Sequence, residues 1–127
     1  METHHKHTNL EERMINFGVN IVNVGSKLQV RKELRGLIDQ ILRSGISCPL
    51  NYSEAIHSES RKDFIHKMKI TLKELRETYT SLRILIKIPD IQYLEELRGL
   101  RAENNELLSI FVTSVKTAQR NYLQEKK

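Results

Sequence analysis

Apolar residues in this chain fall into four stripes that step by four and three residues, the spacing that keeps side chains on one face of an α-helix. The first stripe is Leu10, Met14, Phe17, Ile21, Val24 and Leu28. Thr8 with Glu11 forms an S/T-x-x-E capping box and sets the expected start of that helix. Gly25 and Ser26 are expected to end it or loosen its last turn, leaving Leu28 in the connection. The second stripe is Leu34, Ile38, Ile41, Gly45, Cys48, Tyr52 and Ala55, and its phase survives passage through Pro49. A proline inside a helix removes the bond to the carbonyl four residues earlier, here Gly45, which has no side chain to crowd the ring. This supports one helix over residues 31–57, kinked near Pro49. The alternative is a break at Ser44–Ser47 with Pro49 opening a new helix.

The third stripe, Ile65, Met68, Leu72, Leu75, Tyr79, Leu82 and Ile86, is the most regular. Ser60 is its expected N-cap, with Asp63 in the favourable first turn, and Pro89 closes the helix. Asp90 is expected to start the last helix, which runs toward Gln124 along Leu94, Leu97, Leu108, Phe111, Val115, Ala118 and Tyr122. Two polar residues, Arg101 and Asn104, fall in phase with that stripe. Either the helix rotates locally onto Leu100 and Leu107, or these two residues meet a partner surface. No segment alternates with period two for long enough to form a strand. Short connections between long helices favour antiparallel neighbours, so the expected fold is an all-α, antiparallel, up-down four-helix bundle. Residues 9–124 form the bundle, between flexible tails at 1–8 and 125–127.

Composition narrows the picture modestly. A chain of 127 residues suits one domain with one core, and buries enough surface to fold without disulfide or metal staples. Lys and Arg outnumber Asp and Glu by 21 to 16, a net charge of +5, which permits attraction to phosphate without requiring it. Cys48 is the single cysteine, which excludes an intramolecular disulfide and a four-cysteine zinc site. No apolar run reaches the roughly 20 residues needed to cross a bilayer. The first nine residues are polar, without the hydrophobic centre of a signal peptide. A soluble, cytoplasmic protein without membrane contact is the expectation.

The segment Leu42-Arg43-Ser44-Gly45-Ile46-Ser47-Cys48-Pro49-Leu50-Asn51-Tyr52-Ser53-Glu54-Ala55 resembles the L-R-S-G-x-S-x-x-x-N-x-x-E-A signature of the bacterial four-helix-bundle proteins called 23S rRNA intervening sequence proteins. The stretch from Ser60 to Glu74 resembles the family's S-x-x-D-F-I-x-K-x-x-I-A-L-K-E, and Glu77-Thr78 continues it. Thr71 stands where the family usually has alanine, and Thr80-Ser81 where many members have tyrosine-tryptophan. The resemblance implies a left-handed up-down bundle, commonly assembled as a ring-like homopentamer, in a family with no established catalytic activity. The chain is similar also to the accessory proteins of diversity-generating retroelements. That similarity implies reverse transcriptase and nucleic acid, RNA or DNA, as partners.

Candidate chemistry is sparse. His66, Lys69, Lys73, Arg76, Arg83 and Lys87 each follow a stripe position by one residue, and Lys62 stands four before His66, so they line one flank of the third helix, interrupted by Thr80. Such a row suits a phosphate backbone. The blander reading is a solvated flank whose charges pair with Glu on a neighbouring helix. No aromatic residue interleaves the row, so base stacking is not expected. Lys27, Arg31, Lys32 and Arg35 cluster at the first turn, where a ring assembly would repeat them. His4, His5 and His7 lack carboxylate or thiolate companions, so no metal and no cofactor are expected. Cys48, His57 and His66 do not form a nucleophile–base pair, and Cys48 reads as apolar filler. Arg43, Asn51, Glu54 and Glu77 lie beside apolar stripes and read as structural polar residues that fix helix register or a partner surface, rather than as an acid–base set. No enzyme site is expected. Ile70 and Leu85 are apolar positions available for subunit contact. The alternative to nucleic-acid association is a module that binds only protein.

Overall fold

The computed structural model describes the backbone of residues 2–126, with side chains from residue 9 onward. Four helices follow one another: α1 (Glu2–Leu28), α2 (Arg35–Ile56), α3 (Arg61–Ile86) and α4 (Leu94–Glu125), with a single 3-10 turn at Lys32–Leu34 leading into α2. No strand occurs among the described residues. Each helix packs on its neighbours in sequence, and α4 returns to close against α1. Short connections make consecutive helices antiparallel, giving a four-helix bundle.

The stripes form the core. Met14, Phe17, Ile21, Val24 and Leu28 from α1 meet Ile38, Ile41, Cys48 and Tyr52 from α2, Met68, Leu75, Leu82 and Leu85 from α3, and Leu97, Leu107 and Phe111 from α4. Each fully buried Leu, Ile or Phe contributes about 1.5–3 kcal/mol relative to exposure. Tyr52 and Phe111 meet edge to face, their ring centroids 5.3 Å apart. The α1–α4 seam is thin in packing and carries a two-pronged ion pair, Arg13 to Glu103, at 2.6 and 3.0 Å.

Several boundaries differ from expectation. The backbone is helical from Glu2, so Thr8 lies within α1 instead of capping it; the Thr8 side chain is outside the described residues. Gly25 and Ser26 do not end α1, which continues to the buried Leu28. Gly25 serves a close approach instead: a Cβ there would stand 2.8 Å from Leu42 of α2. α2 runs unbroken through Pro49, which removes the break at Ser44–Ser47. Gly45 is small for the sake of α1, not of the proline ring, since a Cβ there would lie 2.8 Å from Ile21. Side chains also bond back onto the backbone around the proline. Ser47 donates to the Arg43 carbonyl at 2.8 Å and Asn51 to the Ser47 carbonyl at 2.9 Å.

Ser60 caps α3 as expected, its hydroxyl accepting from the Asp63 amide at 3.1 Å. Asp90 does not start α4. Asp90 and Tyr93 both take left-handed backbone angles, φ 60° and 61°, in a loop that delays the helix to Leu94. Ile88 and Ile91 of that loop pack against the core, which holds it in place. Along α4 the buried face runs Leu97, Leu100, Asn104, Leu107 and Phe111, so the helix turns Leu100 and Leu107 inward and leaves Leu94 and Leu108 half-buried. Asn104 is 0% exposed and neither atom of its amide finds a hydrogen-bond partner among the described residues, so within one subunit it faces the core rather than a surface. Leu85 is likewise core and not free for a subunit contact, while Ile70 is half-buried.

Candidate nucleic-acid interface

α3 has two chemically different sides. Toward α2 it presents acids: Glu77 accepts from Gln40 and, at 2.5 Å, from Arg43, and Glu74 lies 3.7 Å from the other guanidinium nitrogen of Arg43. Burial first, and then the neighbouring Glu77, hold the Glu74 carboxyl above the usual carboxylate range, with Arg43 opposing. Lys67, on the same side, reaches Glu54 of α2 at 3.2 Å. Arg43, Glu54 and Glu77 thus join α2 to α3, and Asn51 bonds within α2.

Toward solvent α3 presents the basic row. Lys62, His66, Lys69, Lys73, Arg76, Arg83 and Lys87 are all exposed. None of them joins an ion pair among the described residues; the carboxylates of α2 and α4 engage Arg13, Lys67, Arg61 and Arg98 instead, and Glu74 and Glu77 of α3 engage Arg43. Arg83 rests its guanidinium over the Tyr79 ring, 5.8 Å from its centre. At a rise of 1.5 Å per residue the row is about 37 Å long, close to one turn of duplex.

The turn cluster is less free. Arg31 pairs with Glu33 at 2.8 Å, Arg35 donates to the Gln29 carbonyl at 3.3 Å, and Lys27 sits 5.0 Å over the Tyr93 ring. Lys32 is exposed. Cys48 is buried and donates to the Ser44 carbonyl at 3.3 Å, and desolvation pushes its thiol up to about 12, which keeps it protonated and unreactive. His57 donates through Nδ1 to the Ser53 carbonyl at 2.8 Å, and His66 lies exposed on α3. His4, His5 and His7 lie outside the described side chains.

The family profile described as 23S rRNA-intervening sequence protein matches residues 6–113. The chain belongs to the 23S rRNA-intervening sequence protein family. A crystal structure of a protein of unknown function from the S23 ribosomal protein family of Bacteroides thetaiotaomicron is 33% identical, with a TM-score of 0.76 over 84% of this chain and 97% of that one. No functionally curated protein matches the chain.

As a member of the 23S rRNA-intervening sequence protein family, the chain uses its signature segment for packing. Gly45 admits Ile21, Ser44 accepts from the buried Thr78 hydroxyl at 2.8 Å, and Arg43 holds Glu77. The departures are absorbed locally. Thr71 is fully buried and its hydroxyl donates to the Lys67 carbonyl at 2.9 Å, while Thr80 is exposed and Ser81 is buried.

One surface escaped the sequence reading. Ile15, Val19 and Val22 on α1 and Ile46 and Leu50 on α2 form an exposed apolar face around a groove of about 510 Å³, with Val19 50% and Leu50 61% exposed. The signal was present as a second spacing of four and three in α1 and a spacing of four in α2.

Proposed function

We propose that this protein is a non-enzymatic, cytoplasmic binding module that assembles with copies of itself and engages nucleic acid through the outer flank of α3. The observation that carries this reading is the exposed row of Lys62, Lys69, Lys73, Arg76, Arg83 and Lys87, none of which joins an ion pair among the described residues. Cations in such a row neutralise phosphates and release counterions, so binding is sequence-tolerant and positions a strand without reading it. Lys32 extends the same chemistry to the first turn, with Arg31 and Arg35 as partly engaged neighbours. Resemblance to retroelement accessory proteins makes a nucleic-acid enzyme such as a reverse transcriptase the protein partner of choice. The apolar face on α1 and α2 is the surface on which copies meet, and the family resemblance supplies the number five.

The test is the triple variant Lys69→Glu, Lys73→Glu, Arg76→Glu, with binding, helicity and oligomeric mass measured on the same samples. Loss of binding with helicity and assembly intact supports the reading. Loss of stability or assembly instead assigns the row to a subunit contact. A second reading, a module that binds only protein, is favoured by the apolar face. It predicts that the wild type binds no nucleic acid even at low salt.

A further inference from the structure

Antiparallel packing brings the start of α3 beside the end of α4, and a cleft of about 410 Å³ opens there, lined by Lys62, Ile65, Lys69, Gln119, Tyr122 and Leu123. This volume lies within the range of small-molecule sites. Its chemistry is mixed in a particular way. Lys62 and Lys69 are exposed cations of the α3 row and pair with no carboxylate among the described residues. Tyr122 offers a half-buried aromatic ring, and Ile65 and Leu123 give the cleft apolar surface. Gln119 carries both a donor and an acceptor. Lys126 lies over the Tyr122 ring, 4.9 Å from its centre, a third cation that an entering base displaces from that face. Arg61 and Glu125, 2.9 Å apart, tie the first turn of α3 to the last turn of α4 and hold the walls together.

We infer that this cleft takes an unpaired nucleobase against Tyr122, with the adjoining phosphates on Lys62 and Lys69. The inference rests on the proposed role of the α3 row and deepens it, since it makes the row end in a stacking platform. A phosphate row alone is indifferent to strandedness. A flat ring beside two unpartnered cations favours a base that is free to leave its stack, as in single-strand binders. Bases inside a duplex cannot enter without being flipped out. The preferred ligand is therefore single-stranded nucleic acid, or the unpaired end of a duplex.

The experiment measures binding of labelled oligothymidylate about 16 nucleotides long, and of a blunt duplex of equal length, to the full chain at low salt. Tyr122→Ala should weaken oligothymidylate binding at least about fivefold and leave the duplex unchanged. Tyr122→Phe, which keeps the ring, should bind as the wild type does and guards against a folding artefact. Lys62→Gln with Lys69→Gln should weaken both ligands. Equal affinities of wild type and Tyr122→Ala for oligothymidylate would overturn the inference while leaving the row reading intact. Binding of neither ligand by the wild type would overturn the row reading itself. Displacement of oligothymidylate by polyglutamate that is equally effective on wild type and Tyr122→Ala would show that the ring adds nothing to binding and would overturn the base pocket.

Discussion

Gly45 is a position where one added carbon decides the distance between two helices. A Cβ there would stand 2.8 Å from Ile21, and that side chain is itself locked in the core. Gly45→Leu should therefore lower stability by about 1–3 kcal/mol, the range for overpacking, read as an earlier midpoint in chemical denaturation. An unchanged midpoint would mean that α1 and α2 separate there at little cost. The pattern along the chain pointed to Gly45 but for another reason, room for the proline ring. Spacing within one helix says which residues share a face and nothing about how near the opposite helix comes. Asn104 is the same lesson in reverse. Leu97, Leu100, Leu107 and Phe111 could be phased with or without it, and only packing against the other helices settles that a polar side chain lies among them.

At the scale of elements, α3 is a helix with acids toward α2 and bases toward solvent, and the basic side was legible because most of its row follows stripe positions by one residue. Which charges pair was not legible, because pairing depends on where α2 places Arg43 and Glu54. Glu74 gives that seam a pH dependence. Its carboxyl is held above the usual range, chiefly by burial, so the folded state binds the proton more tightly than the unfolded state does. Stability from this group is fully present below the ordinary carboxylate range and is lost as pH rises through the raised value. Glu74→Gln should remove that loss, so denaturation midpoints should show the variant gaining on the wild type between acid and neutral pH. A constant difference across that span would contradict the assignment. The element boundaries that failed, at Thr8, Gly25 and Asp90, all relied on local cap and breaker chemistry. Tertiary contacts overrode it for Gly25, facing Leu42, and for the loop anchored by Ile88 and Ile91.

For the whole molecule, four stripes of apolar residues and short connections were enough to reach the bundle, since few other arrangements bury four such faces at once. The exposed face of Ile15, Val19, Val22, Ile46 and Leu50 remains to be covered, and a second copy is the proposed cover. Light scattering should give a mass several times that of one chain, and Val19→Glu with Leu50→Glu should reduce it to that of one chain with helicity kept. A wild type that scatters as a monomer across micromolar concentrations would contradict assembly. The central claim, that the α3 row meets phosphates, is tested most directly by titrating the wild-type protein with single-stranded nucleic acid at several salt concentrations. Between three and six phosphates neutralised per row give a slope of log affinity against log salt of about −2 to −4. Affinity independent of salt, or no binding at the lowest salt, would contradict it.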